Sequence, residues 1–94
     1  MPFVYLLASK PHGTLSVGSA SDLARRVWEH KNKVIPGFSA KYGFDRLVWY
    51  EMHESLAAAA QRERRIKEWK RLWKIQLIET DNPQWIDLYP TLSP

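Results

Sequence analysis

The chain opens on an unbroken apolar run from Phe3 to Ala8, followed by the turn cluster Lys10-Pro11-His12-Gly13 and a second short extended stretch from Thr14 through Val17 to Gly18. Two such segments around a Pro/Gly turn predict a β-hairpin. Ser21 and Asp22 then offer helix-capping side chains, and Leu23 and Val27, four apart with no Gly or Pro between them, predict a first helix to about Lys33. Pro36-Gly37 closes it, and Phe38 to Phe44 reads as a loop. Arg46 to His53, with Leu47, Val48, Trp49 and Tyr50, has the residues of a third strand. Ser55 can cap a second helix that starts with the alanines 57 to 60. No breaker follows before Asp81, but one helix of that length would be about twice the usual. A bend near Arg71 to Lys74 is therefore expected, with a third helix to Glu79. Asn82-Pro83 ends it, and Trp85, Ile86, Leu88 and Tyr89 can fold back onto the body. The order β, β, α, β, α, α predicts an α+β layer, a three-stranded sheet with helices packed on it, antiparallel at least in the hairpin.

With 94 residues there is room for one domain, residues 1–94, with its core over about 3–89 and a Pro-containing tail at 90–94. Hydrophobic residues at 45% and charged ones at 26% exclude a disordered chain. The absence of cysteine excludes disulfides, thiolate catalysis, iron–sulfur clusters and Cys-based zinc sites. No apolar run is long enough to span a bilayer and no signal peptide is present, so the expectation is a cytoplasmic protein without a membrane partner. A net charge of +4 makes a polyanionic partner plausible, and its distribution sharpens this. Arg62, Arg64, Arg65, Lys67, Lys70, Arg71 and Lys74 face only Glu63 and Glu68, whereas residues 76–94 hold no basic residue.

Three side chains stand out from this framework. Glu63 falls on the otherwise apolar helical stripe 56, 59, 60, 63, 66, where a carboxylate must be paired with Arg26, Arg62 or another cation, protonated, or used. Arg26 and His30, four apart, share a face of the first helix beside the Leu23 and Val27 stripe. An Arg, a His and a carboxylate are the minimum set for splitting a phosphodiester: charge clamp, proton acceptor and metal ligand. Spacing does not show that they converge. The five tryptophans fall where helices pack, at Trp69, Trp73 and Trp85 above all.

The hairpin Phe3-Val4-Tyr5 with Ser16-Val17-Gly18, the helix Asp22-Leu23-x-x-Arg26-x-x-x-His30 and the later Ala60-x-Arg62-Glu63 resemble the GIY-YIG nuclease domain. Trp28-Glu29-His30-Lys31, Lys41-Tyr42-Gly43, Leu47-Val48-Trp49-Tyr50-Glu51 and Asn82-Pro83-x-Trp85-x-Asp87-Leu88 are similar to its small single-domain bacterial endonuclease branch. The resemblance runs from Phe3 to Tyr89 and implies a three-stranded antiparallel sheet flanked by helices. It implies a metal-dependent DNA endonuclease, with Mg2+ or Mn2+ held by Glu63. Arg26 would be the phosphate clamp, Tyr5 the first-motif tyrosine, and His30 an aid to proton transfer. Gly18 would let backbone approach the site. Lys41, Tyr42, Arg62 and Lys67 would be substrate-binding, and Asn82 either supports the site or only stops the helix.

One departure from the family pattern bears on activity: Ser16 stands where the second motif has its tyrosine. A serine hydroxyl is shorter and harder to ionise than a phenol, so His30 or a water on the metal takes over that task, or activity is weakened. A nucleic-acid-binding module of the same fold without turnover is the alternative, and an interaction domain built on its tryptophans is a third.

Overall fold

The computed structural model describes residues 1–34 and 43–92. It contains β1 (Phe3–Ala8), β2 (Leu15–Ala20), α1 (Leu23–Lys31), β3 (Arg46–Met52), α2 (Leu56–Glu68), α3 (Arg71–Asp81) and a final 3-10 turn, Tyr89–Leu92. The strands form one antiparallel sheet in the order β2-β1-β3. The α+β class and the element order expected from sequence hold. Among the described residues, no helix is long and apolar enough to cross a membrane.

The central strand explains its own uninterrupted apolar run, because it is covered on both faces. Val4, Leu6 and Ala8 pack with Ala59 and Ile66 of α2, Ile78 of α3 and Trp85, while Tyr5 and Leu7 pack with Leu23 and Val27 of α1, Phe44 and Leu47. Strand pairing shifts between Leu6↔Trp49 and Leu7↔Leu47, which leaves Val48 as an extra residue. This bulge turns Val48 and Trp49 both toward the α2–α3 side, while Leu47 faces α1.

Local chemistry sets the helix starts as expected. Asp22 accepts from the Arg25 N–H at 3.1 Å, and Ser55 Oγ accepts from the Ala58 N–H at 3.1 Å. The long helical stretch breaks earlier than expected, at Trp69 and Lys70, both in extended conformation. An unbroken helix from Leu56 to Asp81 would be about 39 Å long, and the molecule measures 29 × 28 × 27 Å. Folding at Trp69 lets Ile66, Ile75 and Ile78 enter one core. Arg71, the first residue of α3, then donates to the carbonyls of His12 and Gly13 at 3.0 and 2.7 Å, tying α3 to the hairpin turn.

The C-terminal segment folds back as expected and is held by buried polar contacts. Asn82, buried, donates through Nδ2 to the carbonyls of Val48 (3.1 Å) and Ile86 (2.8 Å) and accepts from the Ile86 N–H at 2.9 Å. Asp87 accepts from the Leu47 and Tyr89 N–H groups and from Lys31 Nζ. Trp85 is fully buried with φ +57°, its indole N–H bonded to Glu79 at 2.7 Å.

Candidate functional site

The β1–β2 register fixes which side chains share a face. Tyr5 lies opposite Gly18, Leu7 opposite Ser16 and Val4 opposite Ser19. Successive side chains alternate, so Ser16 and Gly18 lie with Tyr5 on the α1 face, and Ser19 points to the α2 face. The Tyr5 ring lies directly over Gly18: a Cβ there would stand 2.5 Å from its hydroxyl and 2.6 Å from Cζ. Gly18 is thus required by Tyr5, which fills the space a side chain would need.

From α1, Arg26 and His30 complete this half. Arg26 hydrogen-bonds the Tyr5 hydroxyl, and the His30 ring meets Tyr5 edge-on with centroids 6.5 Å apart. Burial pushes the Tyr5 phenol above its usual value, against the charge and hydrogen bond of Arg26. Burial, then the nearby Arg26 charge, lowers the His30 imidazole. Tyr5 is therefore a protonated hydroxyl at neutral pH, and His30 is neutral and able to accept a proton. Glu29 ties the guanidinium of Arg26 (3.4 Å) and that of Arg25 (3.5 Å). These residues and Ala20, Ser21 and Asp22 line an open cleft of about 260 Å³.

The other half comes from α2. Glu63 Oε1 accepts from Ser19 Oγ at 2.6 Å, and Oε2 pairs with Lys67 Nζ at 2.8 Å. Burial pushes this carboxyl up, but the bonds from Lys67 and Ser19 and the charges of Lys67 and Arg64 outweigh it and hold it below the usual range. The stripe placed Glu63 correctly in a half-buried position. Its counter-ion is Lys67 of its own helix, the other cation that the expectation allowed beside Arg26 and Arg62. The Glu63 charge also acts on Tyr5 from the other face of β2.

The remaining expected residues divide. Ser16 lies on the site's face, one pleat from Gly18. Arg62 is turned away toward β3, bonded to Glu51 at 3.1 Å and stacked over Trp69 at 5.3 Å. Lys41 and Tyr42 lie outside the described residues. Asn82 serves the C-terminal clasp. Trp73, expected in the packing, is half exposed and lines a hollow of about 400 Å³ with Trp69, Gln76, Leu77 and Thr80, away from the cleft. Sequence reasoning missed Ser19 and Glu29. Period-2 alternation from Gly18 would have aimed Ser19 at the helix that carries Glu63.

The GIY-YIG catalytic domain model matches residues 1–76. The chain belongs to this family. The matched region contains Tyr5, Ser16, Gly18, Arg26, His30 and Glu63, and the GIY-YIG domain implies a nuclease-type protein that generally uses a divalent metal. The chain is similar to UPF0213 proteins: 35% identical over 80 residues to one of Staphylococcus saprophyticus, covering 81% of this chain and 92% of the relative. It is 36% identical over 84 residues to one of Clostridium perfringens, covering 85% of each. A Staphylococcus aureus relative is 37% identical over 81 residues, covering 82% of this chain and 93% of the relative. No solved structure matches closely enough to count as a likeness.

Among the described residues no group of three or more His, Asp or Glu converges as a ready-made metal cage. Glu63 is a lone ionised carboxylate with hard oxygen donors. That fits a magnesium-like ion, which keeps most of its shell as water and phosphate oxygen and takes only one or two protein carboxylates.

Proposed function

We propose that the chain is a divalent-metal-dependent DNA endonuclease acting at the β2 edge. The observation that supports this reading is the packing of Tyr5 over Gly18 beside His30 on one face of β2, with Glu63 bonded to the next β2 residue, Ser19, on the other. A Mg2+ or Mn2+ ion held by Glu63 would polarise the scissile phosphate as a Lewis acid. Arg26 binds the phosphate, and its guanidinium offers the fixed positive charge that a pentavalent transition state needs. His30, neutral at pH 7, accepts the proton of the attacking water. Tyr5 stays protonated and orients that water or a phosphate oxygen through its hydroxyl. Ser19 fixes the Glu63 carboxylate, and Arg25 beside Arg26 offers a second guanidinium in the cleft for the backbone of the substrate.

The test is cleavage of labelled single-stranded, duplex and branched DNA in Mg2+ or Mn2+ by the native chain, Glu63→Gln, Arg26→Ala and Ser16→Tyr. Cutting by the native chain that falls at least about 100-fold in the first two variants is the expected result, and a faster Ser16→Tyr would show that the missing phenol limits the rate. Ser16 favours a second reading, nucleic-acid binding without turnover. Salt-sensitive binding that survives Glu63→Gln and chelation, with no cutting of any substrate, would establish that reading and refute the first.

A further inference from the structure

The two bonds to the Glu63 carboxylate are of different kinds. Ser19 Oγ is a short side chain on a sheet strand, held where the register puts it. Lys67 is 55% exposed while Glu63 is only 19% exposed, and its ammonium hangs on a flexible four-carbon stem. The pair follows the favoured i, i+4 order, Glu before Lys, so α2 geometry itself delivers the ammonium to Oε2. A hydrated lysine can leave such a pair at small cost.

We propose that Lys67 is a built-in counter-ion for Glu63, occupying the carboxylate oxygen that a divalent cation would take and yielding it when that cation binds. The proposal rests on the reading of Glu63 as the metal ligand. Without a cation in place, Lys67 keeps the half-buried carboxylate neutralised and Ser19 keeps it aimed. A dication attracts the carboxylate about twice as strongly as an ammonium at equal distance, so it displaces Lys67 and leaves Ser19 bonded. The released ammonium stays within a side chain's reach of Glu63, where a phosphate is its natural partner. In this account Lys67 contacts substrate only after it has released Glu63, which makes metal and phosphate binding mutually supportive.

The test measures Mn2+ binding to the full chain without nucleic acid, from the loss of the free Mn2+ paramagnetic resonance signal. Native protein, Lys67→Gln, Lys67→Ala, Ser19→Ala and Glu63→Gln are compared, with Lys10→Gln in the exposed hairpin turn as a control of equal charge change. The expected result is a dissociation constant about five- to tenfold lower in both Lys67 variants, within about twofold of native in Lys10→Gln, and higher in Ser19→Ala. No tightening in the Lys67 variants, while Glu63→Gln abolishes binding, overturns the counter-ion role and leaves the metal ligand standing. Tightening in Ser19→Ala as well would overturn the division between a fixed support and a removable charge. Binding that Glu63→Gln leaves intact, or none in any variant, removes both the inference and the ligand beneath it.

Discussion

Replacing Gly18 by alanine tests the centre of the site with a single methyl group. Its Cβ would stand about 1 Å inside ordinary contact with the Tyr5 hydroxyl and Cζ. Tyr5 is nearly fully buried, so the ring cannot swing into water, and either it or β2 must move by about that distance. Such overpacking costs about 1–3 kcal/mol, offset by about 0.5–1 kcal/mol because alanine is preferred over glycine in a strand. The expected net loss is about 0–2.5 kcal/mol, and each kcal/mol lowers the melting temperature of a domain this size by about 4–8 °C. Urea unfolding followed by tryptophan fluorescence reads this directly. A displacement of about 1 Å at Tyr5 should also reduce cleavage about 100-fold. The clash is specific to the ring, so adding Tyr5→Leu to Gly18→Ala should cost less stability than the two changes separately, with cleavage still lost. A Gly18→Ala protein that melts within about 2 °C of native and cuts at native rate would refute the close approach of Tyr5 and the role given to it.

Because burial and Arg26 lower the His30 pKa, the acceptor loses its proton before neutrality, so cleavage should fall only as pH drops through a value below the ordinary 6.5; His30→Gln should remove that limb, and a native midpoint above 7 would exclude His30 as the acceptor. Asp87 is pushed up by burial but lowered more by its bonds to Lys31, Tyr89 and Leu47, so its folded pKa lies below 3.8. Its contribution is therefore present above the unfolded value and lost as pH falls through the folded one: Asp87→Asn should destabilise by about 1–3 kcal/mol at pH 7, and urea midpoints should converge with native as pH falls below the ordinary carboxylate range. Asn82→Ala deletes three buried hydrogen bonds and should cost about 2–4 kcal/mol while leaving Mn2+ affinity unchanged in whatever protein remains folded.

Much of this was legible because local rules and burial agree. Asp22 and Ser55 cap the helices that their chemistry predicted, the Phe3–Ala8 run is the doubly covered strand, and Glu63 stood out as a carboxylate on an apolar stripe. The break at Trp69 was mistaken by a few residues because no glycine or proline marks it; the limit is set by the size of the molecule, which a local window does not contain. The partner of Glu63 stayed open among Arg26, Arg62 and other cations, because spacing alone does not rank the helix neighbour four residues on against cations of other elements. Ser19 and Glu29 act by holding other functional groups, and such residues have no motif of their own. Trp73 shows the limit of composition: a large apolar side chain need not be inside.

The C-terminal clasp separates two boundaries that usually coincide. The domain-model match ends at residue 76, yet Ile78, Asn82 and Trp85 all lie beyond it and are buried against strands that carry the site. A polypeptide ending at that point would keep every candidate catalytic group and lose the wall behind β1 and β3, since removing the Trp85 side chain alone costs about 3–5 kcal/mol. For this chain the stretch that holds the candidate catalytic groups and the stretch needed to complete the core are different lengths. The residues beyond the matched stretch contribute to folding by supplying one indole, one amide and one carboxylate in the right places.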